Sequence, residues 1–204
     1  MPTCLKAGVN PPGGWYNTEH MAVASSMLSL GTKALDFNLV DVVSEEIISL
    51  ETFSNKKAIL VMFICRHCPF VKYVQEEIAR IGKDYQNKDL GIVAISANDP
   101  IPYPEDRPES LKEQAEELGF TFPYCFDETQ QVAKAYTAAC TPDFFLFDKD
   151  RKLVYRGKLD DSRPGNNMPV TGKDLREAID AVIDDRSINQ DQKPSIGCSI
   201  KWMV

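Results

Sequence analysis

The spacing of apolar residues changes period several times along the chain, and each change marks an element. Residues 58–64 (AILVMFI) are apolar throughout, which predicts a strand buried on both faces of a sheet. Val71, Val74, Ile78 and Ile81 then recur at steps of three and four, the apolar face of a helix. Residues 91–97 (GIVAISA) predict a second buried strand. Leu111, Ala115 and Leu118 mark a second helix, and Gly119 suits its C-terminal cap. Residues 124–126 read as a short strand, and Val132, Ala133 and Tyr136 as a third helix. Residues 144–147 and 153–156, joined by the polar turn 148–152 (DKDRK), predict an antiparallel hairpin. Leu175, Ala178, Ile179, Val182 and Ile183 form the stripe of a last helix. Upstream, Phe37, Leu39 and Val42 predict a short strand and residues 47–50 another. Strand-helix-strand units require a parallel sheet covered by helices, and the late hairpin adds antiparallel strands. The expectation is one mixed α/β domain over residues 27–184.

Both ends break this pattern. Residues 1–26 are polar and rich in proline and glycine at first, and read as an N-terminal arm or lid in which Met21 is a second candidate start. Residues 185–204 form a polar tail that ends in the apolar piece 196–202 (IGCSIKW). The net charge of -7 argues against nucleic acid or an anionic membrane as partner. No stretch is long and apolar enough to span a bilayer, and residues 1–20 lack the pattern of a signal peptide. Six cysteines in 204 residues are too sparse for a disulfide scaffold, so a cytoplasmic location is expected.

Candidate chemistry concentrates where the first buried strand meets the first helix, at Cys65-Arg66-His67-Cys68-Pro69. A helix N-terminus favours a thiolate through its unpaired N–H groups and its dipole. Proline fits the first helical position, so Cys68 is expected to cap the helix and Cys65 to end the strand. Cys68 is therefore the expected attacking thiolate and Cys65 the nearest resolving thiol, with Arg66 and His67 adding positive charge beside them. The zinc alternative, Cys65, Cys68 and His67 with a distant Cys140 or Cys198, lacks a second close pair of ligands, so no metal is expected. No phosphate-cradling glycine loop and no Ser-His-Asp pattern is present, and no cofactor is expected.

Residues 58–72 together with 141–148 (TPDFFLFD) resemble the thioredoxin-like superfamily. They are most similar to its peroxiredoxin-like branch, the alkyl hydroperoxide reductase and thiol-specific antioxidant proteins. Residues 30–37 (LGTKALDF) and the tail piece share the resemblance, which spans roughly residues 27–202. It implies a thioredoxin-like fold with a central mixed sheet, a cis-proline at Pro142, and a Thr141 that offers backbone atoms to a bound substrate strand. It also implies departures. Val71 stands where thioredoxins carry their second cysteine, and Met62 where they carry a buried carboxylate. Cys65 stands where a peroxiredoxin carries the hydroxyl that activates peroxide, three residues before Cys68.

Other residues are read more plainly. Cys140, two residues before Pro142, is an alternative resolving thiol or a core residue, and Cys198 a remote resolving thiol or a tail anchor. Cys125 reads as core, Cys4 as a free thiol on the arm and His20 as solvated. Asp99, Tyr103, Glu105 and Asp106 fall on a proline-rich loop and read as solvated. The expected function is a thiol-disulfide oxidoreductase acting on a protein or small-molecule disulfide, with thioredoxin or glutathione as reductant. The alternatives are a thiol-dependent peroxidase and a non-catalytic redox-sensing module.

Overall fold

The computed structural model describes residues 22–204; Cys4, His20 and Met21 lie outside the described residues. A five-stranded sheet runs through the domain in the order β6-β5-β4-β8-β9. Its strands are β4 (Ala58–Phe63), β5 (Leu90–Ser96), β6 (Tyr124–Phe126), β8 (Asp143–Phe147) and β9 (Leu153–Gly157). β4, β5 and β6 are parallel, and β8 and β9 join antiparallel to β4.

Alternation explains the unbroken apolar run of β4. Ala58, Leu60 and Met62 enter the core beneath α1 (Pro69–Tyr85), α2 (Pro108–Leu118) and α4 (Lys173–Ile183). Ile59, Val61 and Phe63 enter the opposite core with Phe37, Phe53, Tyr136, Phe145 and Phe147. The short α3 (Gln131–Ala135) and the small hairpin β2 (Leu39–Val40) and β3 (Ile47–Ile48) cover that side. α2 ends as its glycine predicts: Gly119 is left-handed at φ 63 and donates to Ala115 and Glu116. Among the described residues, no helix is long and apolar enough to cross a membrane.

The two ends differ from the expectation of an arm and a tail outside the domain. β1 (Ala22–Ala24) and β10 (Ile196–Ser199) pair with each other, and β10 pairs with β7 (Cys140–Thr141) in a three-stranded sheet. Strands of two to four residues are too short to show a period, and backbone pairing, not pattern, defines them.

A buried ion pair holds β8 to β9 just behind β7. Arg156 Nη2 lies 3.4 Å from Asp143 Oδ2, and both side chains are fully buried. Ser25 Oγ donates to both oxygens of Asp143, at 2.8 and 2.9 Å. Arg156 also donates to the hydroxyl and carbonyl of Thr137 and lies 4.3 Å over the ring of Phe145. Burial pushes the Asp143 carboxyl up to about 6, against the pull of Arg156 and Ser25. Removing one partner of a buried pair leaves the other charge without compensation. Arg156→Ala is therefore expected to lower unfolding stability by about 3–5 kcal/mol, read as a shift of the urea midpoint; a loss under about 1 kcal/mol would match a surface pair instead.

Candidate active site

The first half of the site is set by Pro69. It occupies the first turn of α1, and Cys68 is the N-cap with φ -66 and ψ 124. A residue before proline is driven into this extended region, which is also what an N-cap needs. Lys72 N donates to the Cys68 carbonyl at 2.9 Å and opens the helical ladder. Cys65 lies two residues beyond the end of β4, after Ile64, whose N still donates to Ile95 O. Both cysteines sit where the sequence places them, and both are fully buried.

The second half is Thr141, which touches the thiols of Cys65 and Cys68 and pairs along the backbone with Cys198. Its hydroxyl lies 3.3 Å from Cys65 Sγ. Its carbonyl lies 3.2 Å from Cys68 Sγ and accepts from it while Cys68 is a thiol. Its backbone pairs in register with Cys198 of β10. The Thr141–Pro142 peptide bond is cis. Cys198 is fully buried in register with Thr141, and Cys198 and Cys65 both favour the thiolate of Cys68 as hydrogen-bond donors.

This arrangement ranks the three thiols. Burial pushes Cys68 up, but the hydrogen bonds from Cys198, Cys65, the Val71 amide and Thr141 outweigh it and hold Cys68 well below the ordinary thiol range. Burial raises Cys65, and its bond to Cys68 and the nearby Asp106 raise it further. The bond to Cys68 and then burial raise Cys198. The three therefore share one negative charge, and it rests on Cys68.

Arg66 and His67 are both engaged by other groups near the cysteines. Arg66 turns away from the cysteines toward α2, donating to Ser110 O and pairing with Glu113 at 2.7 Å and Glu117 at 3.4 Å. The acidic face of α2 draws it there, so it pins the loop and lends Cys68 no direct pair. His67 points its ring at Asp106, stacks on Tyr103 at 4.6 Å, and offers a ligand atom within 4.8 Å of those of Cys65 and Asp106.

Asp106 is the residue that sequence reasoning missed. Read as solvated, it is fully buried. Its Oδ1 accepts the amides of Arg66 and His67 at 2.8 and 3.1 Å. Its Oδ2 accepts His67 Nδ1 and Asn98 Nδ2. Cys65, His67 and Asp106 offer ligand atoms within 4.8 Å of one another. Asp106 already receives four donors, so the geometry makes it the anchor of the 65–68 turn, with its lone pairs committed. The other loop residues divide: Asp99 accepts the Ile101 amide at the surface, and Glu105 pairs with Lys72 in an exposed contact. Cys140 is buried with its thiol toward Pro142 O at 3.7 Å, and burial, Asp143 and the nearby Cys68 raise it. Cys125 lies in the core, as expected.

Comparison with known proteins fits this geometry. Residues 30–156 match the AhpC/TSA family. The chain belongs to the AhpC/TSA family. It is 30% identical over 140 residues to the thiol-disulfide oxidoreductase ResA of Geobacillus thermodenitrificans, covering 68% of this chain and 71% of that protein. The crystal structure of an uncharacterized conserved protein from Geobacillus kaustophilus is 55% identical with a TM-score of 0.88, covering 90% of this chain and 97% of that one. The thioredoxin domain of a thiol-disulfide oxidoreductase from Bacteroides vulgatus shares the fold at 21% identity and a TM-score of 0.60, covering 77% of this chain and 99% of that one. The protein is an oxidoreductase of thioredoxin-like fold, and redox-active partner proteins are the class its family implies.

Within this AhpC/TSA domain, ionisation of Cys68 has a measurable signature. Its folded value lies below its unfolded one, so its ionisation adds stability as pH rises toward about 8.5 and loses it as pH falls through the folded value. Thiolate ultraviolet absorbance is expected to persist at neutral pH and to vanish in Cys68→Ser. Cys198→Ala, which removes one donor, is expected to raise the Cys68 titration by about one pH unit, the equivalent of ~1.4 kcal/mol. A single titration near 8.5, unchanged by Cys198→Ala, would contradict the ranking.

Proposed function

We propose that this protein exchanges thiols and disulfides with Cys68 as nucleophile and Cys65 as resolving thiol. The observation that carries the reading is the placement of Cys68 at the N-terminus of α1 with its Sγ 3.2 Å from the carbonyl of Thr141, beside Pro142. The thiolate attacks one sulfur of a substrate disulfide and expels the other as a thiolate. Cys65, three residues away and a free thiol that shares Thr141 with Cys68, then attacks the mixed disulfide, giving a Cys65–Cys68 disulfide and a second released thiol. Asp106 holds the turn that carries both sulfurs, and Pro142 orients the incoming group against Cys68. The similarity to a thiol-disulfide oxidoreductase supports this chemistry over peroxide reduction. So does Cys65, which stands where the peroxide-activating hydroxyl of a peroxiredoxin is expected.

A protein or small disulfide is the substrate in this reading, thioredoxin or glutathione the reductant, and a reducing cytoplasm the setting. The sparse cysteines support that setting. Cys68→Ser is expected to lower reduction of insulin or of a model disulfide by at least about a hundredfold, with folding intact by circular dichroism. Cys65→Ser is expected to keep the first attack and lose repeated turnover. Full activity in Cys68→Ser would remove the assignment.

A further inference from the structure

Thr141 is where a substrate strand is expected to dock, and its backbone edge is already taken. β10 runs antiparallel beside β7, with Cys198 opposite Thr141 and Ser199 opposite Cys140. The approach is close enough to dictate sequence: a Cβ on Gly197 would lie 2.0 Å from the Thr141 carbonyl oxygen, a clash with backbone that only glycine avoids. The strand is fastened at both ends. Ser195 Oγ donates to Gly157 O at 2.8 Å, and Ile200 N to Ala139 O at 3.2 Å. Lys201 N donates to Asn98 Oδ1 at 2.8 Å and Met203 N to Gln130 Oε1 at 2.8 Å. β1 covers its other edge over three residue pairs. A four-residue strand thus sets its cysteine opposite Thr141, the residue whose carbonyl meets the nucleophile.

We propose that β10 is a substrate strand supplied in cis: it occupies the Thr141 edge, and Cys198 forms a disulfide with Cys68 in place of the substrate's cysteine. The inference rests on the oxidoreductase reading and adds a second partner for Cys68. The step needs no external oxidant once the active-site pair is oxidised. Cys198 gives up its proton, its sulfur bonds to Cys68, the Cys65–Cys68 bond breaks, and Cys65 leaves as a thiolate that takes the proton. The disulfide has moved and the electron count is unchanged. Two consequences follow: the oxidised protein holds an equilibrium between two linkages, and a polypeptide substrate reaches Cys68 only when β10 lifts from β7.

The test uses the full chain with glutathione disulfide as oxidant, mass spectrometry to map linkages, and Cys65→Ser to remove the first resolving thiol. In that variant Cys68 attacks glutathione disulfide and releases glutathione, and Cys198 then displaces the second glutathione. A Cys68–Cys198 disulfide as the main product is the expected result, replaced by a stable Cys68–glutathione adduct when Cys198 is also serine. A stable adduct in Cys65→Ser with Cys198 intact would overturn the inference while leaving Cys68 as nucleophile. No reaction at Cys68 in either variant would overturn the oxidoreductase reading with it. Gly197→Ala supplies an independent readout. Forcing β10 from Thr141 is expected to speed glutathione attachment at Cys68 by about tenfold or more, and an unchanged rate would show that the strand does not guard the thiol.

Discussion

Everything in the site depends on holding three cysteines against one residue, Thr141. Its hydroxyl meets Cys65, its carbonyl meets Cys68, and its backbone pairs with Cys198. Such a crossing needs Thr141 fixed on both sides. The cis bond to Pro142 leads at once into β8, where Asp143 is locked to Arg156 and Ser25. Arg156 belongs to β9 and Ser25 follows β1, so the pair draws together the segments that frame the three-stranded sheet. A buried ion pair is a poor source of net stability. Its value here is positional, since a rigid Thr141 fixes the distances among the thiols.

The same economy of charge governs the other side. One carboxylate, Asp106, takes the two amides of the Arg66-His67 turn and the His67 ring, which shapes the loop between the cysteines. Its negative charge falls nearer Cys65 and raises that thiol. Cys68 instead faces amides and thiol donors. The asymmetry between two cysteines three residues apart therefore comes from opposite surroundings, a carboxylate for one and donors for the other. Arg66 is drawn toward α2, which offers it two carboxylates.

What the sequence revealed follows from how local each feature is. The buried strands, the helices and the hairpin announce themselves by period, and Pro69 alone places Cys68 at the helix start. The short strands β1, β7 and β10 carry no period, and only their mutual pairing creates them. Asp106 resembles any acidic loop residue until the fold brings two amides and a histidine to it. The Arg156–Asp143 pair is not legible in the sequence: Arg156 is one charge at the end of a predicted strand, and only the register of β8 against β9 brings it to Asp143. Cys198 was legible as a cysteine in an apolar tail segment, though its contact with Cys68 required the tail to dock as a strand.

The central claim is that these thiols form a working two-electron couple centred on Cys68. Its most direct test is equilibration of the protein with glutathione redox buffers, reading the oxidised fraction and the linked cysteines together. The account predicts one two-electron transition between about -120 and -270 mV, the range of known exchangers, with Cys68 in every linked species. Absence of a transition in that range, or disulfides that leave Cys68 free, would contradict it.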